Sequence, residues 1–392
     1  MPSDALSNWK ARLHEGLRSL EERSQRRSLV EIRGVNFCSN DYLGLAENPV
    51  LRERVAESVR HAERVGGTGS RLLSGQTEEW RELEEYFTEF AGTEAALFFT
   101  TGYAANVGLL SSLVGKDDVI FSDERNHASL IDGMRLSGAR KVIYPHLNLN
   151  ALEDALRQEA GAPWRKIVVT ESVFSMDGDI APLPEIVNLA EKYNAAVILD
   201  EAHATAVHGP RGRGLAMAAG LTRRMLAIIH TCGKALASAG AFVCGSAVLK
   251  EHLLNHARTF VFSTALPPYF ARQVQAALEL AEGMDEDRCM LLQNAAGFRA
   301  ALQAQGFDVA ESGSQIVPVI LGQNEAALDA AEHLQREGFA VRGIRPPTVP
   351  EGRARLRLSL TTRIAAEELA RFTEVLRAWR ERQVALTSAR HA

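Results

Sequence analysis

The chain has 392 residues, 46% hydrophobic and 24% charged, with a net charge of −5. That is ordinary globular composition, long enough for a large core and about two domains. Both charge signs are spread along the chain without a basic block, which argues against a nucleic-acid or membrane surface, and no run of about 20 apolar residues offers a membrane span.

The opening segment "MPSDALSNWKARLHEGLRSLEERSQRR" lacks the apolar core of a signal peptide, and its glutamates argue against an organellar leader. Cys38, Cys232, Cys244 and Cys289 form no C-x-x-C pair and no metal spacing, so no metal is expected, and a reducing compartment, by default the cytoplasm, is. Trp9, Leu13, Leu17 and Leu20 share one helical face, which predicts a helix packed on something. "VNFCSNDYLGLAENP" reads as a short strand and a turn, followed by a helix from Val50 to Arg64. "GGTGSRLLSGQTEEW" reads as a glycine-rich loop opening a helix with Thr77 at its N-cap.

From there strands and helices alternate. The strands, among them "AALFF", "DDVIFSD", "KIVVTESV", "AAVILDEAH" and "MLAIIHTCG", are continuous apolar runs, as expected of a mostly parallel sheet covered on both faces. Repeated β-α units predict a doubly wound α/β domain. Past about residue 285 the texture becomes that of a smaller α+β unit, with strands "QIVPVILG", "FAVRGIRPP" and "RARLRLSL" and a helix from Ala365 to Arg382. The expected organisation is an N-terminal helix and arm over 1–45, a large α/β domain over 46–285 and a small α+β domain over 286–392.

Ligands in open α/β sheets bind beyond the carboxyl ends of the strands, so polar residues just after apolar runs are the candidates. Thr101 and Gly102 follow "AALFF", Ser175 follows "KIVVTESVF", Asp200 ends "AAVIL" with His203 three residues on, and Thr231 and Lys234 follow "LAII". Each has an ordinary alternative. Asp200 reads equally as a turn former, a lone His127 or His203 as a surface or core histidine, and Lys234 as a side chain reaching solvent. Together they supply what a pyridoxal phosphate site needs: a lysine able to form a Schiff base, an acid to keep the ring nitrogen protonated, a helix start for the phosphate and an imidazole to stack on the ring.

The ordered set "TGYAAN", "NHASL", "VFSMDGDIAPL", "LDEAH", "TCGKALASAGAFV" and "FSTALPP" resembles the α-oxoamine synthases of the fold-type I pyridoxal phosphate enzymes over nearly the whole chain. The resemblance implies a homodimer with active sites at the interface. It implies Lys234 as the Schiff-base lysine, Asp200 at the pyridine nitrogen, His203 at the ring hydroxyl and His127 stacked on the ring and near substrate. Gly102, Tyr103 and Thr231 are implied on the phosphate side, Ser175 at the ring substituents and Thr264 at the partner's phosphate. Asn40 and Arg345 are implied for the amino-acid carboxylate and Thr348 for substrate. An arginine of the N-terminal arm is implied for the acyl substrate, with Arg26 and Arg27 both fitting and Arg23 still open. Taken alone, Arg345 reads as a surface arginine before a proline turn.

Within the family, "GIRPPTVPEGRARLRLSL" resembles the branch that joins L-alanine to a pimeloyl thioester, on coenzyme A or a carrier protein, in biotin biosynthesis. Glycine-using members differ around "RPPTVP" and are the alternative. An aminotransferase is disfavoured by the ordered motifs, and a non-catalytic relative by the presence of Lys234. Two positions depart from the family: Ala206 and Ala237 stand where relatives commonly have glycine, each adding a methyl group and removing backbone freedom.

Overall fold

Seven of the apolar runs build one sheet. In the computed structural model, which describes residues 4–391, they are β1 (Ala95–Phe99), β2 (Asp118–Asp123), β3 (Arg140–Tyr144), β4 (Arg165–Glu171), β5 (Ala195–Asp200), β6 (Ala227–Thr231) and β7 (Ala241–Gly245). Their order is β1-β7-β6-β5-β4-β2-β3, and only β7 runs antiparallel to its neighbours. Side chains alternate between faces, yet both faces are buried. Ile120, Ile167, Val169, Ile198 and Ile229 join one core, and Val119, Phe121, Val168, Val197, Leu199 and Ile228 the other. Each such side chain contributes about 1.5–3 kcal/mol on burial, so both alternating sets are apolar and the strands read as unbroken runs.

The chain divides into two compact units. One runs from Asn40 to Ser175 and from Asp179 to Leu291 and holds this sheet; the other takes the chain up to Ser39, the short segment Met176–Gly178, and the chain from Leu292 onward. In the second unit Ile316–Gly322, Ala354–Ser359 and Gly343–Ile344 form an antiparallel sheet. The expected single strand "FAVRGIRPP" is two short ones, Phe339–Ala340 and Gly343–Ile344. The sequence reading set 1–45 apart from 286–392, whereas the structure groups the chain up to Ser39 with the C-terminal segment. Val35–Asn36 pairs in parallel with Phe339–Ala340, and Phe37 packs against Phe298, Phe339 and Phe372. Met176–Gly178 belongs to the same unit because Asp177 is buried in an ion pair with Arg355. Gly178 (φ +71) also approaches Ile316 so closely that a Cβ would lie 2.1 Å from its carbonyl oxygen.

Thr77 does hold the N-cap position of the helix Glu78–Ala91, but its side chain makes no capping hydrogen bond. No helix among the described residues is long and apolar enough to cross a membrane.

One buried charge cluster braces the sheet unit. His146 presents Nδ1 to Asp123 Oδ1 at 2.8 Å and Nε2 to Asp179, with its ring edge-on to Phe174. Asp179 precedes Ile180, which bridges to Val173 and so closes the hairpin leading to Ser175. Burial alone would lower the His146 pKa, but hydrogen bonds and charge from the two carboxylates outweigh it and push it up to about 9. A folded-state value above the ordinary 6.5 means that this group's stabilisation is complete below about pH 6.5 and is lost as pH rises through about 9. Urea titrations at matched cofactor loading should therefore show the stability gap between wild type and His146→Gln shrinking over that interval. A gap independent of pH would rule out the charged imidazolium.

Candidate active site

The sheet unit joins three of the expected residues in one hydrogen-bonded chain. Lys234 Nζ lies 2.8 Å from His203 Nε2, and His203 Nδ1 lies 2.7 Å from the hydroxyl of Tyr42. Tyr42 donates to Asn40 Oδ1 at 3.1 Å. With the Tyr42 proton spent on Asn40, His203 donates from Nδ1 and its bare Nε2 accepts from Lys234. Tyr42 escaped the sequence reading; the available signal was a tyrosine in a polar turn, since a fully buried ring requires a partner for its hydroxyl.

Asp200, at the end of β5, accepts from the Ala202 amide at 2.8 Å and from Asn106 Nδ2 at 2.7 Å. His127 caps the helix Ala128–Ser137, its Nδ1 accepting from the Ser129 amide. Burial lowers the His127 pKa, Asp200 opposes the shift and Lys234 adds to it, so the ring is neutral. Glu171 also escaped the sequence reading. It pairs in register with Asp200 and accepts the His127 amide at 2.6 Å. Burial, then the charge of Asp200, push its pKa well above the carboxylate range. A charged residue closing the apolar run "KIVVTE" was the legible sign.

A cradle for an anion forms where β1 turns into the helix Gly102–Leu113. Thr101 caps that helix by accepting from the Ala104 amide, while the Gly102 and Tyr103 amides have no intrahelical acceptor. A Cβ on Gly102 would lie 3.5 Å from Thr231 Oγ1, so the glycine leaves room between the helix start and that hydroxyl. The Tyr103 hydroxyl itself donates to Asp132. Ser175 is half-buried and Thr264 exposed, the latter bridged to Ser70. These residues fit pyridoxal phosphate: a helix N-terminus and hydroxyl for a phosphate, a carboxylate, a neutral imidazole and a lysine amine.

The second unit brings together the other candidates. Arg27 donates to Thr348 Oγ1 at 3.1 Å, and Arg345 donates to the Ser24 carbonyl. Burial, then the charge of Arg27, hold Arg345 below an ordinary guanidinium. Arg26 instead pairs with Glu21 at 2.9 Å on the surface, and Arg23 bonds the Ser19 carbonyl within its own helix. Of the three arm arginines, Arg27 is the one that meets Thr348. A further buried cation, Arg357, donates to Ser359; arginine alternating through the apolar strand "ARLRLS" was its signal.

The family model for aminotransferase class I and II matches residues 32–376. The chain belongs to this family. The 8-amino-7-oxononanoate synthase of Geobacter sulfurreducens is 48% identical over 353 residues, 89% of each chain. That of Anaeromyxobacter sp. is 46% identical over 359 residues, 88% of this chain and 89% of its own. A solved serine palmitoyltransferase from S. paucimobilis matches with a TM-score of 0.87 and 29% identity over 96% of this chain and 98% of its own. The 8-amino-7-oxononanoate synthase from Francisella tularensis matches with a TM-score of 0.78 and 28% identity over 90% of this chain and 99% of its own. The fold is the fold-type I architecture of pyridoxal phosphate transferases, as the motif order implied.

The expected departures at Ala206 and Ala237 fall on unusual backbone. Ala206 has φ +65 and Ala237 φ +45, a left-handed conformation in which a Cβ costs about 1–2 kcal/mol. Ala237 closes the turn that carries Lys234, its amide bonding the Lys234 carbonyl at 2.8 Å. Ala206 is fully buried, so glycine there would also forfeit the packing of a methyl, about 0.8 kcal/mol. Ala237→Gly should therefore stabilise the protein by about 1 kcal/mol in denaturant titrations, and Ala206→Gly by less. A loss of stability in Ala237→Gly would show that the turn is unstrained.

Proposed function

We propose that the chain catalyses the decarboxylative condensation of L-alanine with a pimeloyl thioester, forming 8-amino-7-oxononanoate, carbon dioxide and the free thiol in biotin synthesis. The observation that carries this reading is the Lys234–His203 contact beside Asp200 in a chain 48% identical to a curated 8-amino-7-oxononanoate synthase.

Pyridoxal phosphate, when bound, supplies a protonated ring that takes up the electrons left on the amino acid's α-carbon. The amides of Gly102 and Tyr103 and the hydroxyl of Thr231 would hold its phosphate, Asp200 would face the ring nitrogen, and His203 and Ser175 the ring substituents. His127 would lie on the ring face. Lys234 would hold the cofactor through its amine, and that amine is the base placed to remove the amino acid's α-proton and return one. His203 Nε2 accepts from that amine and keeps its lone pair aimed. Asn40 and Arg345 orient the amino-acid carboxylate, and Arg27 and Thr348 the acyl substrate; orientation of this kind is worth roughly 7 kcal/mol or more. The new bond joins alanine's α-carbon to the thioester carbonyl as the thiol leaves, and the carboxylate departs as carbon dioxide.

The active form is a homodimer. Trp9 and Leu13 of the N-terminal helix are 59% and 63% exposed in the single chain, and Leu73 and Phe262, near the Ser70–Thr264 bridge, are 85% and 71% exposed. Apolar surface of this kind marks a protein contact. A second copy covering it brings Thr264 to the partner's phosphate. The cytoplasm is the setting in which such a biosynthetic enzyme works.

The holoenzyme should be fixed by borohydride at Lys234, read by peptide mass, and should turn over alanine with pimeloyl-CoA or a pimeloyl carrier protein. Failure to take up pyridoxal phosphate overturns the cofactor reading. A preference for glycine with acetyl-CoA, or serine with palmitoyl-CoA, overturns the substrate reading. Arg27→Ala should raise KM for the acyl thioester roughly tenfold or more, the value of one charged hydrogen bond, with Arg26→Ala within about threefold of wild type. The reverse order would transfer the role to Arg26.

A further inference from the structure

We propose that Asn106 is a positioning residue of this active site: it holds the Asp200 carboxylate and, through Ser129, sets the tautomer of His127. The inference rests on the roles proposed above for Asp200 and His127.

Asn106 ends the motif "TGYAAN", and nothing in the cofactor reading requires it. It sits inside the helix Gly102–Leu113, where asparagine is disfavoured because its side chain competes for backbone hydrogen bonds. It is nevertheless 2% exposed. Its Nδ2 donates to Asp200 Oδ2 at 2.7 Å and to Ser129 Oγ at 2.9 Å, while its Oδ1 is buried with no partner among the described residues. The amide cannot be turned the other way, because an oxygen would then face a carboxylate that only accepts. Both amide protons are thus committed to the polar cluster, and the carbonyl is left unmatched.

The second branch decides a proton position. Ser129 Oγ accepts from Asn106 and lies 2.7 Å from His127 Nδ1, and the Ser129 amide donates to the same nitrogen at 3.3 Å. Two donors converge on Nδ1, so the neutral ring carries its proton on Nε2. Glu171 fixes the other end of the residue through the His127 amide at 2.6 Å. The groups assigned to the nitrogen edge and to the face of the cofactor ring are therefore tied to one side-chain amide. His127 presents an N–H, not a lone pair, from Nε2; the alternative tautomer would reverse that polarity toward substrate.

The test uses full-length holoenzyme labelled with 15N-histidine, with the His127 signals identified by their loss in His127→Gln. Wild type should show the Nε2–H tautomer. Ser129→Ala should move His127 toward a mixture of tautomers and leave the ratio of the cofactor's two visible absorption bands unchanged. Asn106→Ala should alter both, and lower kcat about tenfold or more, as for a lost hydrogen bond to a charged group, with a smaller change in KM for alanine. Should Asn106→Ala not fold, Asn106→Ser tests the Asp200 branch and Ser129→Ala the other. His127 protonated at Nδ1 in wild type, or an unchanged tautomer and band ratio in both variants, overturns the proposal. If the tautomer results come out as expected but the His127 signals do not respond to removal of pyridoxal phosphate, the relay is supported and the ring-facing role given to His127 fails.

Discussion

The polar groups at the carboxyl edge of this parallel sheet depend on meeting one another's hydrogen-bonding demands, with Asn106 Oδ1 left over. An isolated donor or acceptor in such a place costs about 1–3 kcal/mol, and most of the matching partners are far away in sequence. Lys234 is met by His203, whose proton position is set by Tyr42, which in turn is set by Asn40. The lysine amine consequently faces an acceptor whose identity is decided two side chains away. Loss of the Tyr42 hydroxyl would remove the acceptor that holds the His203 proton on Nδ1, and with it one constraint that keeps Nε2 an acceptor for the amine.

The same logic separates two neighbouring carboxyl groups. Glu171 and Asp200 are paired in register on adjacent strands, and each is almost fully buried. Asp200 receives two N–H donors; Glu171 receives the His127 amide and is pushed toward its neutral form by burial and by Asp200. Like charges in contact cannot both persist. Burial and the neighbouring Asp200 favour the neutral form of Glu171, which braces His127 through its backbone amide.

The sheet was legible in the sequence because burial on both faces makes parallel strands continuous apolar runs, and Lys234, His203, Asp200 and Thr231 were legible because they directly follow those runs. Glu171 had a sign in the charge that closes its run, but the partners of Tyr42 and Asn106 were not legible. Asn106 meets Asp200 across 94 positions and Tyr42 meets His203 across 161, and no local pattern encodes such meetings. The choice between Arg26 and Arg27 was similarly hidden. Adjacent residues on an irregular arm point to different neighbours, and Glu21 captures one of them. Grouping of the arm with the C-terminal segment was hidden too, since it rests on a two-residue strand and a cluster of phenylalanine rings.

The alanines at 206 and 237 show how the fold accommodates a side chain on left-handed backbone. Both have positive φ. Near Ala206 the conformational freedom is supplied by Gly212 (φ +72), where a Cβ would lie 2.7 Å from the Ala206 backbone. The Ala206 amide bonds the Gly212 carbonyl at 2.7 Å, so one glycine still serves the contact from the opposite side. At Ala237 the methyl narrows the conformations available to the segment carrying Lys234. A strained turn with fewer alternatives costs stability, but it also restricts the backbone positions from which the Lys234 side chain can project. Strain and precision in that turn therefore have one origin, the methyl group of Ala237.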